Sequence, residues 1–372
     1  MFSVLWVMSF YHSLMSGKFQ RKTFFIQHSN NRPWKTSALY LGALLLLLYG
    51  AIFLWPVVPA KSNIPEGSSY KVKITPKSGL SAIAGQLSEQ GVSANALTLQ
   101  IASRVLFVGS KLKPGTYLLA TRASLGNVLL QIARGDRVRE SLAIIPGMTI
   151  WQLRSLIDNH PALIHQTKGM STKKLLQAIN LSYPDDEGLF YPDTYIFDPD
   201  DSDISIYRRA SQAMQKQLTA AWEQKEATSP LKTPYELLIL ASIVEKETGR
   251  SSDRSLVAAV FINRLKINMP LQTDPTIIYG IGPKFDGNLR KTDLRRDSPY
   301  NTYMHKGLPP TPISMPSKES LQAVIHPAKS DAIYFVARGD GSSYFSKTLK
   351  EHENAVDQFQ RKRNIKTTST SQ

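Results

Sequence analysis

Apolar residues dominate the chain from Ser37 to Pro59, and nothing between Lys35 and Lys61 is charged. About 23 residues at 1.5 Å rise span roughly 35 Å, which predicts a helix able to cross a bilayer core. Tyr40, Tyr49 and Trp55 lie toward its ends or within a turn or two of them, as interfacial anchors do. Beyond it the pattern shortens. From Tyr70 to about Ile157 one phrase recurs loosely three times: an alternating strand, a small-residue turn, and apolar positions at helical spacing. The strands are expected at Tyr70–Ile74, Gly115–Leu119 and Ser141–Ile145, and an extra helix at about Asn95 to Phe107. A strand, two helices and a returning strand over 70–119 would make a small α+β module, either a binding unit or a spacer.

Residues 150–225 read mostly helical, interrupted by a Pro- and acid-rich loop from Ser182 through the aromatic stretch to Phe197. After a polar linker the pattern becomes almost wholly apolar from Leu237 to Val244, so a helix there is expected to be buried on most sides. Thr233 is its expected N-cap, Pro234 suits its first turn, and Glu236 would close a capping box. That helix delivers Glu245 to its far end. The C-terminal end of a helix carries partial negative charge, so both the dipole and desolvation favour the neutral acid, the form general acid chemistry needs. The plainer reading pairs Glu245 with Lys246 or a neighbouring Arg. A second helix is expected from about Asp253 to Lys266, ended by Asn268. A long irregular span follows, broken by Pro270, Pro275, Gly280 and Pro309-Pro310. A strand near Ile333–Val336 and a helix from about Thr348 finish the chain.

Composition narrows the chemistry. Across 372 residues there is no cysteine, which excludes disulfides and thiolate metal sites, and the 7 histidines lack the paired spacing of a zinc site. The formal net charge is +16. Lys18, Arg21, Lys22, Arg32 and Lys35 precede the apolar span with no acidic residue among them. The positive-inside rule then puts the N-terminus in the cytoplasm and the C-terminal part outside. Met15 is a candidate start, since the residues after it form an ordinary basic tail. For an exported, basic chain, membrane headgroups and wall polymers are the economical partners, and nucleic acid is not expected.

Glu187, Asn263, Gln272, Asp274 and Asn301 fall in loop contexts or at helix ends, with Tyr191, Tyr195, Tyr300 and Tyr303 near them in sequence. Amides and aromatic rings together suit carbohydrate. Loop capping or packing is the plainer reading for each residue singly.

Seven ordered motifs then resemble one family: E-G-L-F-Y-P-D-T-Y (187–195), L-A-S-I-V-E-K-E-T (240–248), V-F-I-N-R-L (260–265), L-Q-T-D-P-T-I-I-Y-G (271–280), S-P-Y-N-T-Y (298–303), G-L-P-P (307–310) and H-P-A-K (326–329). In that order they resemble the YceG-like endolytic murein transglycosylases. The resemblance implies a lyase that cuts nascent peptidoglycan strands internally at the MurNAc-GlcNAc β-1,4 bond, leaves 1,6-anhydro-MurNAc ends, and uses no metal or organic cofactor. It implies an α+β fold: a basic cytoplasmic tail (1–36), a transmembrane helix (37–59), a LysM-like glycan-binding module (65–140), an intermediate helical segment (141–230), a catalytic core (231–360) and a disordered basic tail (361–372). Peptidoglycan synthases at the membrane stand as candidate partners. The family's essential Glu matches Glu245, with Glu247 as its competitor about 200° round the helix, so that both cannot enter one cleft. Glu187, Asn263, Gln272, Asp274 and Asn301 match recurring positions expected to shape the cleft or touch glycan. The chain departs from the pattern at Thr311, where Gly commonly follows G-L-P-P. A non-catalytic wall-binding protein and a muramidase-type hydrolase remain alternatives.

Overall fold

A computed structural model describes residues 33–59 and 69–361. The expected cytoplasmic tail up to residue 32, the choice of Met15 as start, and the expected C-terminal tail from 362 lie outside the described residues. Helix α1 (Pro33–Leu54) contains Thr36–Leu54, 19 residues long and apolar enough to cross a membrane. It stops short of the expected Pro59, at a point where Pro56 has no N–H to continue the ladder. The chain turns instead into the next unit: Val57 and Val58 donate to the Ala123 carbonyl, and Ser93 and Arg122 donate back to Val57 and Val58. Ile52, Val57 and Val58 are buried in that unit's core. The end of the apolar span is therefore module core.

The module pairs β1 (Ser69–Ile74) with β2 (Gly115–Ala120), antiparallel, with Ser69 opposite Ala120 and Ile74 opposite Gly115. Between them run α2 (Leu80–Glu89) and α3 (Ala96–Val105), and α4 (Leu125–Arg134) follows. The alternation places Val72, Ile74, Tyr117 and Leu119 on one buried face, on which Leu87, Leu99, Val128 and Ile132 also close. Asn95 caps α3 by accepting from the Thr98 N–H, and Ser124 caps α4 the same way from Asn127. The third phrase of the sequence repeat does not join this sheet. Its strand β3 (Glu140–Ala143) runs antiparallel to β5 (Thr194–Phe197), because Leu142 belongs to a second apolar core.

That second core holds α5 (Ile150–Asp158), β4 (Leu163–Ile164), α6 (Thr172–Ala178), β5, β6 (Asp201–Ser202), α7 (Asp203–Trp222), α8 (Pro234–Glu247), α9 (Arg254–Lys266), α10 (Asp274–Ile281), the short α11 (Lys291–Leu294), α12 (Lys318–Ile325), the hairpin β7 (Tyr334–Ala337) and β8 (Ser343–Ser346), and α13 (Leu349–Val356). Helix α8 is its axis: Leu237 to Val244 are all buried, and α7, α9 and α12 pack around it. Thr233 accepts from the Glu236 N–H at 3.1 Å, as expected, but the Glu236 carboxylate accepts from Lys232 N–H at 2.5 Å, one residue before the cap. Past α9, Asn268 takes φ 54°, and the N–H groups of Asn268 and Met269 return to Leu265 and Arg264.

Candidate active site

The last turn of α8 sends two carboxylates to different neighbourhoods. Glu245 points at the N-terminus of α12. Its Oε2 accepts from the Ser317 N–H at 2.9 Å, from the Ser320 hydroxyl at 2.7 Å, and from the Ser317 hydroxyl. Arg254 Nη2 stands 3.8 Å from Oε1, so the plainer reading of an Arg partner also holds. The side chain is 8% exposed. A carboxylate surrounded by the donors of a helix N-terminus and a guanidinium is positioned to tie α8 to α12.

Glu247 turns the other way. Its carboxyl accepts from the Thr273 hydroxyl, at the start of α10. It lines a pocket of about 360 Å³ with Arg264, Gln272, Asp274, Tyr303, Tyr334 and His352. Burial pushes the Glu247 carboxyl above its ordinary value; the Thr273 hydrogen bond opposes this, the Asp274 charge adds to it, and the Arg264 charge opposes it. The Tyr303 hydroxyl donates to Asp274 Oδ1 at 2.7 Å and so fixes the second carboxylate of the pocket. Arg264 is held by the Ile333 and Leu271 carbonyls, both at 2.7 Å, and lies 5.3 Å over the Tyr334 ring. Tyr334 stacks in turn on His352 with centroids 5.1 Å apart. Burial and the Arg264 charge lower the His352 pKa.

The expected site residues are thus divided. Gln272 and Asp274 meet in the Glu247 pocket, and Gln272 reaches it with φ 51°. The Asn263 amide donates to the Ser330 and Ala332 carbonyls, at 2.8 and 3.0 Å, and ties α9 to the segment before β7. Asn301 is buried; its amide donates to the Leu294 and Arg296 carbonyls and its carbonyl accepts from the Tyr303 N–H. It sets the loop that carries Tyr303. Glu187 is fully buried, accepting from the Ile150 N–H at 2.9 Å and from its neighbour Gly188. Burial pushes its carboxyl up to about 8, against the opposing pull of hydrogen bonds from Ile150, the Tyr279 hydroxyl and Gly188. Around it Trp151, Tyr279 and Tyr300 form a ladder with centroids 4.9 and 5.0 Å apart. Thr311, the departure from the motif, donates its hydroxyl to the Pro312 carbonyl and shares a hydrogen bond with the Tyr300 hydroxyl, both at 2.8 Å. Sequence reasoning passed over Arg264, Tyr334 and His352 as pocket residues. Arg264 was within reach, since it adjoins Asn263 in V-F-I-N-R-L.

Among the described residues no group of three or more His, Cys, Asp or Glu is placed to hold a metal ion. Three comparisons bear on what the pocket belongs to. The model of the YceG-like family matches residues 72–358. An endolytic murein transglycosylase of Bacillus subtilis is 33% identical over 346 residues, 86% of this chain and 91% of that protein. One of Streptococcus pneumoniae is 36% identical over 176 residues, 46% of this chain and 31% of that protein. A crystal structure of a YceG-like protein from Listeria monocytogenes is 30% identical, covering 76% of this chain and 98% of its own, with a TM-score of 0.49. A family match spanning both the module and the Glu247 pocket, and a relative one third identical along most of both chains, make this chain a member of the YceG-like family.

Proposed function

We propose that this chain is an endolytic lytic transglycosylase that cleaves the MurNAc-GlcNAc β-1,4 bond of nascent peptidoglycan strands. In this reading α1 anchors it in the cytoplasmic membrane, with the N-terminus inside and the rest facing the wall. The module over 65–140 is a LysM-like glycan-binding unit, and peptidoglycan synthases are its neighbours at the membrane. Cutting strands close to where they are made limits their length.

The observation that carries the reading is the Glu247 pocket: one carboxyl that burial pushes above its ordinary value, beside amide, aromatic and acidic partners suited to a sugar. We assign the general acid to Glu247; Glu245, the residue the motif resemblance marks, is the competing assignment, its carboxylate accepting from Ser317 and Ser320 with Arg254 beside it. Glu247 protonates the glycosidic oxygen as the C1–O bond breaks. The C6 hydroxyl of the same muramyl residue then closes on C1, and the Glu247 carboxylate takes its proton, which restores the acid and leaves a 1,6-anhydro end. An intramolecular nucleophile has a high effective molarity, so no second carboxylate has to activate water.

Asp274 also supports a second reading, because two carboxylates flanking one bond are what a hydrolase uses. Digestion of uncross-linked glycan strands, with mass spectrometry of the ends, separates the two. Internal fragments with anhydro ends support the transglycosylase; reducing ends support the hydrolase and make Asp274 the base or nucleophile.

A further inference from the structure

The module presents an apolar face at the depth of the anchor's last turns. Helix α3 is ten residues long, and Leu97, Ile101 and Arg104 fall on one face of it, within about 60° of one another. Leu97 is 66% exposed and Phe107, just past the helix, is 84% exposed. Phe107 also takes φ 53°, an unusual conformation for a bulky side chain. Arg104 and, in the segment after Phe107, Lys111 are also exposed. The face is not remote from the membrane span. A cleft of about 300 Å³ is lined by Leu48, Ala51, Ile52 and Trp55 of the anchor side and by Thr98 and Ile101 of α3. Leu48 lies six residues before the end of the span at Leu54, about 9 Å inside it along the helix axis. The joint is fixed as well: residues 57 and 58 hydrogen-bond to Ala123, and Phe53 lies so close to Gly126 that an added Cβ would meet its ring at 2.7 Å.

We infer that α3 and Phe107 are a second membrane contact: the Leu97–Ile101–Phe107 face lies in the outer-leaflet interface, with a lipid chain in the cleft against α1. This rests on the reading of α1 as a transmembrane anchor. The occupant follows from position. A rigid joint puts Ile101 beside Leu48, and Leu48 is within the stretch that spans, so whatever surrounds the end of that span also surrounds Ile101. Apolar side chains with an Arg and a Lys at the rim are the composition of an interfacial helix on an anionic leaflet. The consequence is orientation: with two contacts the module is held flat on the membrane and cannot swing about a single helix.

The chain has no cysteine, so single cysteines can be introduced and labelled without removing others. Full-length protein carrying Leu97→Cys, Ile101→Cys or Phe107→Cys, labelled with a nitrobenzoxadiazole dye, is reconstituted into vesicles of phosphatidylethanolamine and phosphatidylglycerol with a fraction of lipid spin-labelled near the headgroup end of the acyl chain. Leu45→Cys reports the anchor and Thr228→Cys, in the exposed linker before α8, reports solvent. The expected result is loss of emission at 97, 101 and 107 at least half as large as at 45, with none at 228. Quenching at 45 with 97, 101 and 107 behaving like 228 overturns the inference and leaves the anchor reading intact. No quenching at 45 overturns the anchor reading and this inference with it.

Discussion

Glu187 makes stability depend on pH in a direction opposite to that of a paired carboxylate. Its carboxyl sits at about 8 in the folded chain against an ordinary value of 4.5, mainly because burial penalises the charge. Below the lower value both folded and unfolded chains carry the proton and the shift contributes nothing. Between the two values the unfolded chain has released the proton while the folded chain keeps it, so stability falls as pH rises and levels off above about 8. At about 1.4 kcal/mol per pH unit, the loss between pH 5 and pH 7 is about 2 to 3 kcal/mol. Glu187→Gln removes the titration while keeping an oxygen for the Ile150 N–H. Urea unfolding of the detergent-solubilised chain, followed by tryptophan fluorescence at both pH values, measures the change. Asp185 and Glu247 are also raised by burial and act in the same sense, so the readout is the difference between the two proteins. The variant is expected to lose about 2 kcal/mol of the wild-type pH dependence. Equal slopes in the two proteins would refute the placement of Glu187 as a buried neutral acid.

Glu245→Gln is expected to cost about 1.5 to 3 kcal/mol, since hydrogen bonds to a charged group at the α12 N-terminus are weakened, while the folded variant still cleaves; chemical unfolding and a turnover assay check the two halves separately. Gly188→Ala is expected to destabilise by more than about 2 kcal/mol, because φ is +77° and a Cβ would stand 2.5 Å from Pro312 Cβ; a thermal melt shows this as a clear drop in Tm. Asp274→Asn removes a charge that raises the Glu247 pKa, so the basic limb of the kcat/KM profile is expected to move to lower pH, and an unmoved limb would detach Asp274 from Glu247.

The sequence made much of the scaffold legible because the signals were local. Thr233 and Pro234 mark the start of α8, Asn268 marks the end of α9, and the alternation at Val72 and Ile74 marks β1; each is decided within a turn or a strand. The strand–helix–helix–strand order over 69–120 follows from the same short-range patterns. What required the fold was the direction of α8. Its residues 237–244 are buried all round, so no amphipathic stripe says which side faces a cleft, and periodicity does not separate Glu245 from Glu247. Their partners come from residues 317–320 and 273, far along the chain and invisible to periodicity. The end of the apolar helix at Leu54, short of the expected Pro59, needed the fold for a related reason. Val57 and Val58 are as apolar as the helix before them, and only their burial against the module sets them apart.

The most direct measurement is the digestion of uncross-linked glycan strands by wild type, Glu247→Gln and Glu245→Gln, each confirmed folded by circular dichroism, with mass spectrometry of the ends. The account predicts internal fragments with 1,6-anhydro ends from wild type and Glu245→Gln, and loss of cleavage by a factor of at least about 100 in Glu247→Gln. Anhydro products from Glu247→Gln at the wild-type rate, with a folded but inactive Glu245→Gln, would contradict it and return the acid to Glu245.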